Sequence, residues 1–457
     1  MRNLPRRRSV DADIDLADVQ GDVLRGYTHP CAAYLFLRID DPARARALMT
    51  RMMPRVATAE PWREGPPPTA MHVAFTYAGL VALGLDPTLL ASFPEEFREG
   101  MAARAERLGD RGPSAPSQWE PGLGTGVAHV LVTLYGADDE RLDEGRDALR
   151  GTGEGAVTLV NEQRAAALDA GRDHFGFFDG IAQPAVEGSG VAPRPGDGQP
   201  DGRRRWRPVR TGEFLLGYED EDRGLPEAPL PPFERNGTFM VYRKLAMDVA
   251  AFRRFVTEAG ERFPGGPGLL AAKIVGRWPD GTPLVVSPER PDASMSSDPA
   301  RINDFSYADD PDGLRCPIGA HVRRANPRDA VGFFDGRLSN RHRIIRRGRS
   351  YGPPMAAGAL DDDGVDRGLV FVCFNASIWR QFETVQALWI DDGDPFGLGP
   401  DKDFLVGEPH GTEGKMTIQG RPPFFLKPQP RFVTMRGGEY LFRPSMSGLR
   451  WLASGGS

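Results

Sequence analysis

Val130-Leu-Val-Thr-Leu-Tyr135 leads through Ala137 into a helix-patterned run ending at Ala148-Leu149, and the pattern returns as Leu369-Val-Phe-Val-Cys-Phe374, Ala376 and a run ending at Ala387-Leu388. The offset is 239 residues, with no gap. Each short run is apolar on both of its alternating faces, which predicts a strand buried on both sides. A second pair has the same form. Tyr34-Leu-Phe-Leu-Arg-Ile39 precedes Pro42 to Met53, where Ala45, Leu48 and Met52 recur at helical spacing. About 205 residues later, Thr238-Phe-Met-Val-Tyr-Arg243 precedes Asp248 to Glu258, with Val249, Phe252 and Val256 on one face. Two copies of strand–helix and strand–helix predict two similar α+β domains. The simplest such unit is the ferredoxin-like βαββαβ fold with an antiparallel sheet. Met71 to Tyr77 and Ala156 to Val160 are read as further strands of the first copy. Arg431 to Met435 and Tyr440 to Phe442 are read as further strands of the second.

The stretches between these elements set the boundaries. Gly188 to Arg205 is rich in Gly, Pro, Asp and Arg, and Leu225 to Pro232 is rich in proline. Placing the boundary at the latter gives residues 1–27 as an N-terminal tail, 28–230 as the first domain and 231–457 as the second. Asp280 to Arg315 is an irregular stretch longer than about 15 residues, a length that usually marks function or mobility.

Composition removes several classes of function. The chain has 457 residues with 57 basic and 63 acidic side chains, so its net charge of −6 does not suit a nucleic-acid binder. No apolar run reaches the roughly 18 residues of a membrane span. The 3 cysteines, Cys31, Cys316 and Cys373, form no CxxC, CxxCH or zinc spacing, which excludes a disulfide framework and suits a reducing compartment. Arg6-Arg7-Arg8-Ser9 hints at an export signal, but Val10 to Gln20 is rich in Asp and has no apolar core, so a solvated tail and a cytoplasmic location are expected.

Three stretches carry candidate chemistry. The first is Pro317-Ile-Gly-Ala-His321-Val-Arg-Arg-Ala-Asn326-Pro327. A lone histidine there suits an axial ligand to haem iron, with nearby arginines for the propionates, or it is a surface histidine in an arginine-rich loop. The 7 histidines offer no HxxxH or HExxH pair, which removes zincin-like sites. The second stretch is His174-Phe-Gly176-Phe-Phe-Asp179-Gly180-Ile-Ala-Gln183-Pro184, where Asp179 is either a carboxylate tuned for proton transfer or part of an Asp-Gly turn. Gly332-Phe-Phe-Asp335-Gly336 repeats its core, and pattern alone does not separate Asp179 from Asp335. The third, Arg343-Ile-Ile-Arg346-Arg347-Gly-Arg-Ser-Tyr351-Gly352, is a strand able to hold a fixed cation or a charged edge strand.

Taken together, these motifs resemble the dye-decolorizing peroxidases, in their longer, fungal-like class, and the resemblance covers nearly the whole chain. Asp18-Val-Gln-Gly-Asp-Val-Leu-Arg-Gly-Tyr27 is similar to that family's N-terminal motif, and Gly176 to Gly180 to its GxxDG motif. The trailing Ile-Ala-Gln-Pro favours the first copy over Asp335. Gly212-Glu-Phe-Leu-Leu-Gly-Tyr218 and Asn236 to Lys244 match stretches typical of the longer members.

The resemblance implies two ferredoxin-like domains of the dimeric α/β barrel type around one non-covalent haem b, bound mainly by the second domain. It makes His321 the iron ligand, Asp179 and Arg346 the distal catalytic pair, and Leu369 and Phe371 the distal apolar pair. Arg323 is expected near the cofactor. Asp403 is the expected carboxylate partner of His321, with Asp401 and Asp394 as alternatives. The implied activity is a haem peroxidase working through a ferryl intermediate, taking hydrogen peroxide and aromatic or dye reductants, as a monomer or homo-oligomer. Tyr351 and Trp389 are candidate electron conduits, Trp379 a further one. Two rival readings are a haem-handling protein without turnover and a ferredoxin-like structural or cargo protein without cofactor.

Overall fold

The computed structural model describes residues 13–168, 171–200, 206–330, 336–408, 415–429 and 431–456. The first half contains β1 (Cys31–Ile39), α1 (Pro42–Met52), β2 (Thr69–Phe75), β3 (Val130–Gly136), α2 (Asp139–Gly153) and β4 (Val157–Ala166). The second contains β5 (Thr238–Met247), α3 (Val249–Gly260), α4 (Gly266–Val275), α5 (His321–Ala325), β6 (Ile345–Arg346), β7 (Arg349–Tyr351), β8 (Gly368–Asn375), a π-helix (Trp379–Ile390), β9 (Val433–Arg443) and α6 (Met446–Ser454). The helices start where the sequence supplies caps. Asp41 accepts the N–H groups of Ala43 and Arg44 ahead of α1, Asp138 that of Arg141 in α2, and Asp248 that of Ala251 in α3.

The sheet order is β4-β1-β3-β2 in the first half and β9-β5-β8 in the second, with β6 and β7 both on the free edge of β8. The pairs are antiparallel, and the two halves share one order, the second with its edge strand in two pieces. They join through a single bridge, Phe75 to Phe442, into one nine-stranded sheet. At the far ends β4 and β7 come within 8 Å between Cα atoms, so the sheet curls into a barrel.

Burial on both faces follows from this arrangement. Along β1, Tyr34 and Phe36 point into the barrel with Tyr135, Tyr242 and Val372. Leu35 and Leu37 point outward onto Leu48, Leu142 and Leu149 of α1 and α2. That is why these strands read as unbroken apolar runs.

The structure corrects several expectations. Val433 to Met435 and Tyr440 to Phe442 belong to one strand, β9, which Arg431 and Phe432 precede and in which a bulge at Arg436 shifts the register between Met435 and Gly437. The bulge leaves the Arg436 carbonyl free to accept the Glu120 N–H at 2.7 Å. Tyr77 opens a short helix, Tyr77–Ala82, and does not extend β2. The run ending at Leu388 is wound as a π-helix, with Glu383 N–H bonded to the Ile378 carbonyl at 2.9 Å. Nor are the described residues of 1–27 a free tail. Ile14, Val19, Val23 and Leu24 are buried, and the Gln20 amide bonds Val73 of β2 and the Pro444 carbonyl beyond β9. Asp22 pairs with Arg443, both 1% exposed. The segment thus covers the seam between the halves, because Gln20 and Asp22 satisfy polar groups that the single bridge leaves open. Arg6 to Arg8 and Asp335 lie outside the described residues. No helix among the described residues is long and apolar enough to cross a membrane.

Candidate active site

The outer face of β5, β6 and β8 is only partly covered by helices, Phe371 of β8 meeting Phe382 of the π-helix with ring centroids 6.2 Å apart. It looks across a cavity of about 300 Å³ toward α4, α5 and the π-helix. α5 is seated by Gly276, the left-handed cap that ends α4 (φ 98°). A Cβ there would lie 3.3 Å from the Cβ atoms of both Ala320 and Val322. Glycine therefore supplies both the backbone angle and the close approach.

His321 opens α5 and lines the cavity. Its Nδ1 lies 2.9 Å from Asp403 Oδ2, and Asp403 Oδ1 accepts the N–H groups of Leu405 and Val406, each at 3.0 Å. A carboxylate so held accepts the Nδ1 proton and leaves the Nε2 lone pair for a metal. Burial opposes the charge on His321, but the Asp403 carboxylate outweighs it and raises the imidazole above its ordinary value. Burial also opposes ionisation of Asp403, and there the nearby His321 and Arg324 bring it below the ordinary carboxylate range. Asp401 is engaged elsewhere, with the Thr417 N–H and hydroxyl and with Lys415, and Asp394 starts a separate 3₁₀ turn. Of the three candidates, Asp403 is the one that reaches His321.

Asp179 arrives from the first half on a tight loop. Asp173 Oδ1 accepts the Phe177 N–H at 2.9 Å, and the Asp179 N–H bonds the Gly171 carbonyl at 3.0 Å. Arg346 Nη1 reaches Asp179 Oδ1 at 3.1 Å. Gln183, from the Ile-Ala-Gln-Pro run, accepts the Arg346 backbone N–H at 3.0 Å, so that run ties the loop to β6. The side chains of Asp179 and Arg346 are 44% and 34% exposed, and both line the cavity. Burial would raise the Asp179 carboxyl. The Arg346 cation and the Gly180 N–H outweigh it and hold the group below its usual range. Leu369 and Phe371, alternate residues of β8, line the same cavity, as do Arg243, Leu245 and Met247 of β5.

Arg323 does not face this space. It is 2% exposed and donates to Asp310 and to the Asp310 and Cys316 carbonyls. Residues two apart on a helix point in different directions, so an arginine at 323 cannot share the aspect of His321. The arginines that line the cavity instead include Arg277, Arg328 and Arg343. Burial pushes Arg277 and Arg343 down to about 10, and Arg343 Nη2 has no hydrogen-bond partner among the described residues. Arg343 and Arg328 stand in or beside the motifs quoted above, but which arginine turns inward is decided by tertiary packing. His174 is also set apart, its Nε2 being bonded to the Tyr351 carbonyl at 2.8 Å. Tyr351 faces the barrel interior, with its hydroxyl on Asp366 at 3.1 Å. Trp389 lines the cavity and is buried, whereas Trp379 is 49% exposed beneath Arg107.

These residues fit a haem. A free imidazole lone pair faces a largely apolar chamber walled by Leu245, Met247, Val275, Leu369 and Phe371. The unsatisfied Arg343 guanidinium lines the same chamber, as the carboxylates of a haem require.

Residues 18–167 match the family model described as DyP dimeric alpha+beta barrel domain, and residues 229–396 match Dyp-type peroxidase, C-terminal. A dye-decolorizing peroxidase of Mycena epipterygia is 31% identical, covering 99% of this chain and 90% of its own. The multifunctional dye peroxidase DyP2 of an Amycolatopsis species is 30% identical, covering 96% of each. The structure of a dye-decolorizing peroxidase in complex with 2,6-dimethoxyphenol superposes with a TM-score of 0.84 at 28% identity, covering 96% of this chain and 100% of that one. The chain therefore belongs to the dye-decolorizing peroxidases, a family of haem-dependent α+β barrel enzymes.

Proposed function

We propose that the protein binds one non-covalent haem b, reduces hydrogen peroxide there, and oxidises dyes and phenolic compounds with the oxidising equivalents so stored. The observation that supports this best is the pairing of two devices across one cavity, His321 with Asp403 and Asp179 with Arg346. When bound, the haem iron supplies the redox chemistry. His321 would hold it through Nε2, and the anionic Asp403 would make that ligand a stronger electron donor. Arg277, Arg328 and Arg343 receive its propionates. The haem is thus held mainly by residues 231–457, while residues 28–230 contribute the Asp179 loop.

Reducing hydrogen peroxide at such a cofactor would require one proton to be taken from it and one to be delivered to its far oxygen. Asp179, ionised beside Arg346, takes the first proton and returns it to the second position. Arg346 is always charged and so serves as a donor to the developing negative charge, never as a base. Leu369 and Phe371 keep the space dry and narrow, which admits peroxide and excludes bulky reductants. Electrons from those reductants then enter by a side chain, and Trp389, which lines the cavity, supports that reading better than Tyr351, which packs in the barrel interior. The 3 cysteines are free, in keeping with a reducing, cytoplasmic setting.

The test is an absorption spectrum before and after one equivalent of peroxide, followed by addition of a phenol. A Soret band that shifts with peroxide and returns with phenol is expected. A Soret band unmoved by peroxide indicates haem handling without turnover, and absence of the band a protein without cofactor.

A further inference from the structure

We propose that Arg347 is the positioning residue of Arg346. Its guanidinium holds the Arg346 peptide at an open sheet edge and anchors it on residues 22–23, so that the Arg346 side chain stays aimed at Asp179. This deepens the function proposed above and rests on it.

The need arises from the sheet. β6 is 2 residues long, and no strand among the described residues pairs with its far side. In an antiparallel pair, alternate residues turn their N–H and C=O toward the partner strand and away from it. The Arg347 N–H meets the Val372 carbonyl of β8 at 2.8 Å, so the N–H and C=O of Arg346 face away. Edge groups left unpaired inside a protein are costly, and here side chains take the place of a strand. Gln183 Oε1 accepts the Arg346 N–H at 3.0 Å, and Arg347 Nη1 donates to the Arg346 carbonyl at 3.1 Å.

Arg347 is itself anchored. Successive residues of a strand point to opposite faces, so Arg346 lines the cavity while Arg347 turns to the barrel side. There its Nε donates to the Asp22 carbonyl at 2.8 Å and its Nη2 to the Val23 carbonyl at 3.3 Å. Both carbonyls belong to the one-turn helix Gly21–Leu24, and the last C=O groups of a helix have no partner within it. The turn is fixed in its turn. The Gly21 N–H bonds the Ala57 carbonyl at 2.9 Å, and a Cβ on Gly21 would lie 2.5 Å from the Thr58 carbonyl oxygen. The Asp22 carboxylate pairs with Arg443. The rigid fork of a guanidinium can span three carbonyls, whereas an ammonium is a point donor.

The consequence lies at Asp179. One bond of 3.1 Å joins Arg346 Nη1 to Asp179 Oδ1. Burial raises that carboxyl, and Arg346, the Gly180 N–H and His321 lower it; Asp173, on the same loop, is the neighbouring anion. Of these groups only Arg346 is carried by β6. When the Arg346 peptide swings at its free edge, the bond to Asp179 loosens, the carboxyl titrates higher, and the donor to the developing negative charge is displaced. A misplacement of about 1 Å can cost about 10²-fold in rate.

Two measurements test this. In stopped-flow mixing of the holoenzyme with peroxide, Arg347→Met should slow the peroxide step by about ten- to a hundredfold. In an Arg346→Leu background it should add nothing further, because a residue acting through Arg346 then has nothing left to position. In the apoprotein, NMR of isotope-labelled aspartate, with the Asp179 signal assigned by its loss in Asp179→Asn, should show the carboxyl titrating higher in Arg347→Met than in wild type. Arg347→Lys keeps the charge but cannot span three carbonyls. It should show both changes in smaller degree, and it carries the test if Arg347→Met fails to fold. A wild-type peroxide rate or a wild-type Asp179 titration in the folded variant overturns the proposal, as does an equal slowing in the Arg346→Leu background. Absence of a peroxide-sensitive Soret band overturns the function reading instead, and the Asp179 titration in the apoprotein still decides the role of Arg347.

Discussion

At the scale of single residues, the candidate site was legible where motif order carried it. His321, Asp179, Arg346, Leu369, Phe371 and Asp403 are brought together around one cavity. Arg323 was misplaced because adjacency to His321 suggested a shared direction that helix geometry denies. Three outcomes follow. His321→Ala should leave the protein without stably bound haem, whereas His174→Ala should keep it, its ring being occupied by the Tyr351 carbonyl; Soret absorbance per protein measures both. Asp179→Asn should slow the peroxide step by roughly 10²–10⁴-fold and Arg346→Leu by roughly 10²–10³-fold in stopped-flow mixing, with Asp335→Asn near normal. The third concerns pH. The Asp179 carboxyl is held below its usual value, so it stays ionised as pH falls through about 3.9, where a free Asp takes up its proton. The peroxide step should remain fast into that range, and the acid limb should move upward when Arg346 is replaced by Leu. An alkaline midpoint that Asp179→Asn leaves in place would remove Asp179 as the base.

Elements were legible where periodicity was strong and obscured where it was interrupted. The two glycines Gly437 and Gly438 broke the apolar pattern of β9, so one bulged strand read as two. The π-helix looked like an α-helix because both place apolar residues three to five apart, and only backbone hydrogen bonds distinguish them. The loop before α5 yields a prediction. Arg323 bonds Asp310 and two carbonyls there, and Asp310 is 4% exposed. Arg323→Ala strands a buried carboxylate and should cost about 3–5 kcal/mol of stability. Arg343→Ala should instead weaken haem retention with a smaller loss of stability, since its Nη2 has no partner among the described residues. Urea midpoints of the apoproteins, set beside haem titrations, separate the two effects.

Across the whole molecule, the doubled strand–helix order gave away the architecture, but not the closure of two four-stranded patterns into one sheet, which depends on a lone bridge and on residues 14–24 packed over it. The barrel also encloses an ionisable group with no cation partner among the described residues. Glu439 is buried, accepts the Gly124 N–H at 2.6 Å, and is pushed up to about 8 by burial. An unfolded Glu loses its proton near 4.3, while the folded one keeps it, so the native state binds more protons across that window. Stability should therefore fall as pH rises from about 4.3 to about 8. Glu439→Gln, which keeps the acceptor, should flatten that slope in thermal melts at pH 5 and pH 8. Glu213, also pushed up to about 8, leaves a residual slope of the same sign.

The cavity wall at Leu369 and Phe371 has a counterpart 239 residues earlier, at Val130 and Val132. Those two are 6% and 0% exposed, sealed beneath α1 and α2 with Leu48, Leu142 and Leu149. One half of a doubled architecture is hollow and the other solid. Hollowing the solid half would need several large-to-small changes at about 2–5 kcal/mol each, against a total stability of about 5–15 kcal/mol. A second chamber is thus out of reach by stepwise drift, since the intermediates would unfold before any guest could bind. For a designer, the same arithmetic says that a two-cofactor variant must be carved with the new guest present from the first substitution, so that its binding replaces the packing removed.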